Sequence, residues 1–156
     1  VQIEMKGQNN RLAGAIVNAA NQHYAASHTM LTSFKLRLLR EIHHLSNVYS
    51  IGLLVSPIQD LPSSPKTRAA KMSALAYSAK ADVVLAHHGL IDPETVAEIK
   101  RLGMDIRVRT VDNTKDLLRM FTLGVSSLTA NEPEQALDIR NTYKLSPGET
   151  THGFRT

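Results

Sequence analysis

The chain has 156 residues, 42% of them apolar, with 18 Lys+Arg against 14 Asp+Glu for a net charge of +4, and it contains no cysteine. That length is the length of one domain with enough apolar content for a core, and the missing thiols exclude disulfides, thiolate catalysis and zinc-thiolate centres. The basic residues are scattered (Arg11, Lys35, Lys66, Lys100, Arg119), without the stripe and interleaved aromatics of a nucleic-acid surface, and no apolar run reaches the roughly eighteen residues of a membrane span.

The opening VQIEMK alternates apolar Val1, Ile3 and Met5 with Gln2, Glu4 and Lys6, the period of a strand. It begins without methionine and reads as the interior of a longer sequence, so upstream residues are expected and no compartment is assigned. A helix is expected from about Arg11 to Tyr24 with Leu12, Ile16 and Ala19 facing inward. HTMLTSF follows as a strand, and Phe34, Leu38, Ile42 and Leu45 mark the next helix. VYSIGLLV is a buried strand, SPIQDLPSSPK a loop by its prolines and serines, and Thr67 to Lys80 a helix.

ADVVLAHH is the next strand. IDPETVAEIKRLG is a helix with Asp92 as N-cap, Pro93 in its first turn and Gly103 past its end. DIRVRTVD is a strand, Asn113 or Thr114 caps a helix whose Leu117, Leu118 and Phe121 face inward, SSLTA is a short strand, and Pro133 opens a last helix to about Thr142. Residues 143–156, polar and containing proline and glycine, are expected to be disordered.

Six strand-helix pairs in alternation imply a parallel sheet, since each crossover returns the chain to the same end. A doubly wound sheet would carry a glycine-rich phosphate turn after its first strand, and none is present. The expected fold is therefore an α/β (β/α)₈ barrel, incomplete at about six units, over residues 1–142. In such a barrel the chemistry gathers at the C-terminal strand ends. Those ends hold Glu4 and Lys6, which project to one face two residues apart; Thr32, Ser33 and Phe34; His87 and His88; Arg109 and Thr110; and Thr129. His43 and His44 are accounted for by the dipole at a helix C-terminus.

Together these strand ends resemble a family. VQIEMK is similar to the IEIK strand of glycerophosphodiester phosphodiesterases, HTMLTSF to their SSF strand, IGLLV to GLL, RLGMDIRVRTVDN to the segment ending W-T-V-N, and LGVSSLTANEP to the closing GVDGIITDxP. The order and spacing agree from Val1 to about Ala136. The resemblance implies a barrel hydrolase that cleaves a small glycerophosphodiester to sn-glycerol 3-phosphate and an alcohol, with a divalent cation, calcium or magnesium. It matches Glu4 to a metal-ligating glutamate and Lys6 to the catalytic lysine that neutralises phosphate charge. Thr32, Ser33, Phe34, His87, Arg109 and Thr110 are then substrate-binding candidates.

The family's HRG strand, its Glu-x-Asp pair and a later histidine have no counterpart in this chain. The segment alone is accordingly expected to be inactive, to hold metal weakly or not at all, and to associate with itself or with an N-terminal piece through exposed strand edges. Arg109 stands where the family has Trp, Asp112 where it has Asn, and Ser126 and Ala130 where it has Asp. Arg109 and Ala130 motivate an alternative, a catalytically degenerate barrel that acts as a ligand-binding or protein-interaction module.

Overall fold

The computed structural model describes residues 1–7, 9, 11–23 and 26–145, the last two by their backbone alone. Strand and helix alternate as the periodicity requires: β1 (Gln2–Glu4), α1 (Leu12–His23), β2 (Met30–Ser33), α2 (Leu36–Leu45), β3 (Ser50–Val55), α3 (Pro65–Ser78), β4 (Val83–His87), α4 (Pro93–Arg101), β5 (Asp105–Arg109), α5 (Thr114–Thr122), β6 (Ser127–Leu128) and α6 (Pro133–Leu145). All neighbouring strands pair in parallel, in the spatial order β1-β2-β3-β4-β5-β6. The order never reverses. A doubly wound sheet would reverse at its switch point, so the strands form an arc of a (β/α)₈ barrel, six units long.

Two side-chain contacts show the curvature. The guanidinium of Arg109 on β5 sits 4.7 Å from the ring centroid of Phe34, just past β2. Arg107 on β5 donates to Met30 Sδ on β2 at 3.9 Å. In a flat sheet strands three apart are separated by about 14 Å, and side chains stand parallel. Meeting across that interval requires a concave face.

The two faces have different contents. On the convex side Ile3, Met5, Leu31, Ile51, Leu53, Val55, Val84, Ala86, Ile106 and Val108 pack beneath the helices in one large apolar cluster. On the concave side Met30, Leu54, Val83, Leu85 and Phe34 form a smaller one. Gly52 is what lets the concave layer close: a Cβ there would lie 2.3 Å from Leu85 Cδ1 and 3.0 Å from Thr32 Cγ2.

Several expected details change. In α1 the buried residues are Ala13, Val17 and Ala20, one position on from Leu12, Ile16 and Ala19. Small side chains let the helix approach the sheet closely, and Leu12 and Ile16 flank the contact as partly buried residues. In α5 Leu118 is exposed, and Leu117 with Met120 takes the inward positions at i, i+3 spacing. Helix α3 begins at Pro65, two residues early, because Ser64 adopts the extended backbone of an N-cap and Pro65 suits the first turn. Helix α6 continues through Tyr143 to Leu145, where a disordered tail was expected; the Tyr143 ring packs 6.3 Å from that of Phe121. Residues 146–156 of that tail lie outside the described residues.

Candidate active site

The concave face at the C-terminal strand ends is built by alternation. Since Ile3 and Met5 join the convex core, Glu4 and then Lys6 fall on the opposite side, and the Lys6 ammonium lies 3.5 Å from Glu4 Oε2. Glu4 is in register with Thr32. Thr32 is fully buried, and its hydroxyl donates to the Ile3 carbonyl at 3.3 Å. Ser33 points the other way. Its Oγ donates to the Met5 carbonyl at 3.0 Å and accepts from Lys35 N at 3.1 Å, which ties β2 to the end of β1 and shapes the turn into α2.

Phe34 precedes α2, so its ring is free to lie on the concave face under Arg109. Arg109 and His87 are paired in register at the ends of β5 and β4. The Arg109 Nε is buried and makes no hydrogen bond within the protein, and Nη1 and Nη2 are not among the buried unpartnered atoms. Thr110 follows with φ of +60°. It is exposed, and it turns the chain so that Val111 N can donate to Thr129 O at 3.0 Å while Thr129 N donates to Val108 O at 2.9 Å. Among the proposed site residues, then, Phe34, His87 and Arg109 form one group, Glu4 and Lys6 a second beside Thr32, and Ser33 supports the backbone from behind.

His87 titrates below the ordinary histidine range. Partial burial is the main cause, followed by the charges of His88 and Arg109, with Asp116 opposing them. Its Nδ1 accepts from Gly89 N at 3.1 Å.

Sequence reasoning missed the supports of this rim. Asp116, at the start of α5, lies 3.4 Å from His88 Nδ1 and also binds Arg119, whose guanidinium donates to the carbonyls of His88 and Ile91. Asp112 accepts from both the backbone and the side-chain nitrogen of Asn131 at 2.8 Å, which joins the loops after β5 and β6. The Asn113 cap was a legible signal for the position of Asp116, whereas nothing in the sequence pairs positions 112 and 131.

A divalent cation is a poor fit to these residues alone. A hard cation takes six or more oxygens, and among the described residues no group of three His, Asp or Glu side chains comes together. Glu4 can supply at most one ligand, and it faces Lys6.

An arc of parallel strands with cationic and imidazole groups gathered at its C-terminal rim is the architecture of part of a (β/α)₈ barrel. The chain belongs to the glycerophosphoryl diester phosphodiesterase family, whose model matches residues 1–135. Solved structures of proteins from Silicibacter pomeroyi and Agrobacterium tumefaciens, both assigned by name as glycerophosphoryl diester phosphodiesterases, share the fold. The first is 20% identical with a TM-score of 0.78 and the second 18% identical with 0.80, each covering 93% of this chain. A phosphodiesterase of Oleispira antarctica, solved with the product sn-glycerol-3-phosphate, is 19% identical over 90% of this chain with a TM-score of 0.72. The chain spans 51%, 59% and 54% of the lengths of these three proteins. No curated protein matches the chain.

Proposed function

We propose that this chain forms the phosphate-binding part of a metal-dependent enzyme that hydrolyses glycerophosphodiesters to sn-glycerol 3-phosphate and an alcohol. The supporting observation is the trio of Arg109, Phe34 and His87: a guanidinium oriented on an aromatic face, beside an imidazole, within the stretch matched by the family model. A guanidinium presents paired donors to phosphoryl oxygens, and Lys6 adds a second cation at the end of β1. Both act best where a phosphodiester negative charge grows during attack by water and the bond to the leaving alcohol breaks. Glu4, by its family match, contributes one ligand to the cation. Its remaining ligands and the acid-base groups belong to residues other than those described, which agrees with a chain about half as long as its structural neighbours.

The complete gene product that carries this chain is expected to release sn-glycerol 3-phosphate from glycerophosphocholine with calcium or magnesium, and Glu4→Ala to abolish that release. Undiminished turnover by Glu4→Ala would overturn the role of Glu4, and failure to cleave any glycerophosphodiester would overturn the function. A second reading, a degenerate barrel that binds a phosphorylated ligand without cleaving it, is favoured by the single rim carboxylate. Calorimetric binding of sn-glycerol 3-phosphate without turnover of the diester by the complete gene product would select it.

A further inference from the structure

His87 is placed to do more than line the rim. It ends β4 on the concave side beside Arg109. Its Nδ1 is committed as an acceptor to the backbone N–H of Gly89 at 3.1 Å. A neutral imidazole has one donor and one acceptor nitrogen, so the ring that accepts at Nδ1 carries its proton on Nε2. Gly89 allows this arrangement, since a Cβ there would lie 3.3 Å from His87 Nδ1 and crowd the ring.

The ring is also held from one side. The His88 ring packs with its centroid 4.3 Å from that of His87, tilted by 35°. His88 is anchored in turn through its backbone, whose carbonyl accepts from Arg119 at 3.0 Å, while Asp116 Oδ2 stands 3.4 Å from its Nδ1 without a hydrogen bond. The titratable and charged groups around His87 are thus Arg109 from β5, His88 from the turn after β4, and Asp116, with its partner Arg119, from α5.

We propose that His87 is a neutral hydrogen-bond donor, through Nε2–H, to a phosphoryl oxygen that Arg109 also binds, and that His88 and Asp116 are positioning residues that fix its ring. The inference deepens the phosphodiester reading by naming the atom that meets the phosphoryl group and the form in which it does so. A donor fixed in this way need not gain a proton to act. Protonation would set Nδ1–H against Gly89 N–H, two donors face to face, and open the turn at residues 88–90.

Two substitutions separate the nitrogens. In His87→Asn the amide oxygen keeps an acceptor near the position of Nδ1 and removes the distal donor. In His87→Gln the amide nitrogen keeps a donor near the position of Nε2 and loses the acceptor for Gly89. Nitrogen-resolved NMR of the full chain is expected to show His87 as the Nε2–H tautomer at neutral pH, with its Nε2 signal moving on addition of sn-glycerol 3-phosphate or inorganic phosphate. His87→Asn should weaken binding of sn-glycerol 3-phosphate about tenfold or more, as for a lost bond to a charged acceptor. His87→Gln should retain most of it, and Asp116→Asn should broaden the His87 signals and weaken binding less.

Three results would overturn the proposal: an Nδ1–H tautomer, an Nε2 signal indifferent to both phosphates, or the reverse ranking of the Asn and Gln variants, which a purely structural role predicts. If the complete gene product hydrolyses the diester while His87 stays silent, the donor role fails and the phosphodiesterase reading stands. If inorganic phosphate moves the Nε2 signal and no diester is cleaved, the donor role stands and that reading fails.

Discussion

Arg109 illustrates how one side chain acquires a role from its surroundings. A guanidinium over an aromatic face gains about 0.5–1 kcal/mol at a partly exposed site, and the ring also limits where the fork can point. For the hydrolase proposed above, Phe34→Ala is therefore expected to lower kcat/KM several-fold with a fall in kcat, because an unguided Arg109 meets the growing phosphoryl charge less well. A double-mutant cycle with Arg109→Ala reads the coupling directly. The next residue, Thr110, is β-branched and holds a φ of +60°, a conformation costing about 1–2 kcal/mol outside glycine. Thr110→Gly should raise the denaturation midpoint and loosen the rim, with greater stability accompanied by weaker phosphate binding. Gly52 shows the opposite constraint. With Leu85 Cδ1 2.3 Å from the position of a new Cβ and only 2% of Leu85 exposed, Gly52→Ala should cost about 1–3 kcal/mol by urea denaturation. The added substitution Leu85→Val should recover part of that loss. Glu4, Lys6, His87 and Arg109 could be nominated from the sequence because strand alternation fixes their face. The Arg109–Phe34 contact could not, since it depends on the radius of the sheet and not on any local pattern.

Among the elements, helix ends were the most legible. Asp92 caps α4 through its Oδ1, which accepts from Thr95 N at 2.8 Å, and Asn113 caps α5 through Asp116 N at 2.9 Å. The sequence did not disclose that the Asp92 carboxylate also binds Arg68, a guanidinium from α3 with a side chain only 13% exposed. Asp92→Asn keeps the cap and removes the charge partner, so the difference between Asp92→Asn and Asp92→Ala in thermal unfolding isolates a cap of about 1 kcal/mol. Asp116 gives α5 a pH dependence. The Asn113 amide, then Arg119 and His88, hold its carboxyl below the ordinary range against the opposing effect of burial. The folded state therefore binds its proton less readily than the unfolded chain. Its contribution is complete above about pH 4, the ordinary aspartate value, and is lost as pH falls through the depressed value. Asp116→Asn should flatten the acid limb of the stability profile in that window. Faces of helices were less legible than ends, as α1 shows: two adjacent rows were both apolar, and only the closeness of the sheet selects the row of small residues.

For the whole molecule, strand-helix alternation and the missing glycine-rich turn were enough to anticipate a partial barrel, and the sequential strand order agrees with it. The strands themselves are shorter than their patterns; β6 is reduced to Ser127–Leu128, continued only by the pairing of Thr129 with its neighbours. Among the described residues β1 pairs only with β2, and β6 only with β5. Such edges offer unpaired backbone donors and acceptors, so the 156-residue chain is expected to show a mass that rises with concentration in sedimentation experiments. A monomer with cooperative unfolding at every concentration would count against this. Where further strands do meet these edges, they find the arc already shaped. Arg107 with Met30 and Arg109 with Phe34 lace the same interval at two heights, two ties that hold the wall to one radius.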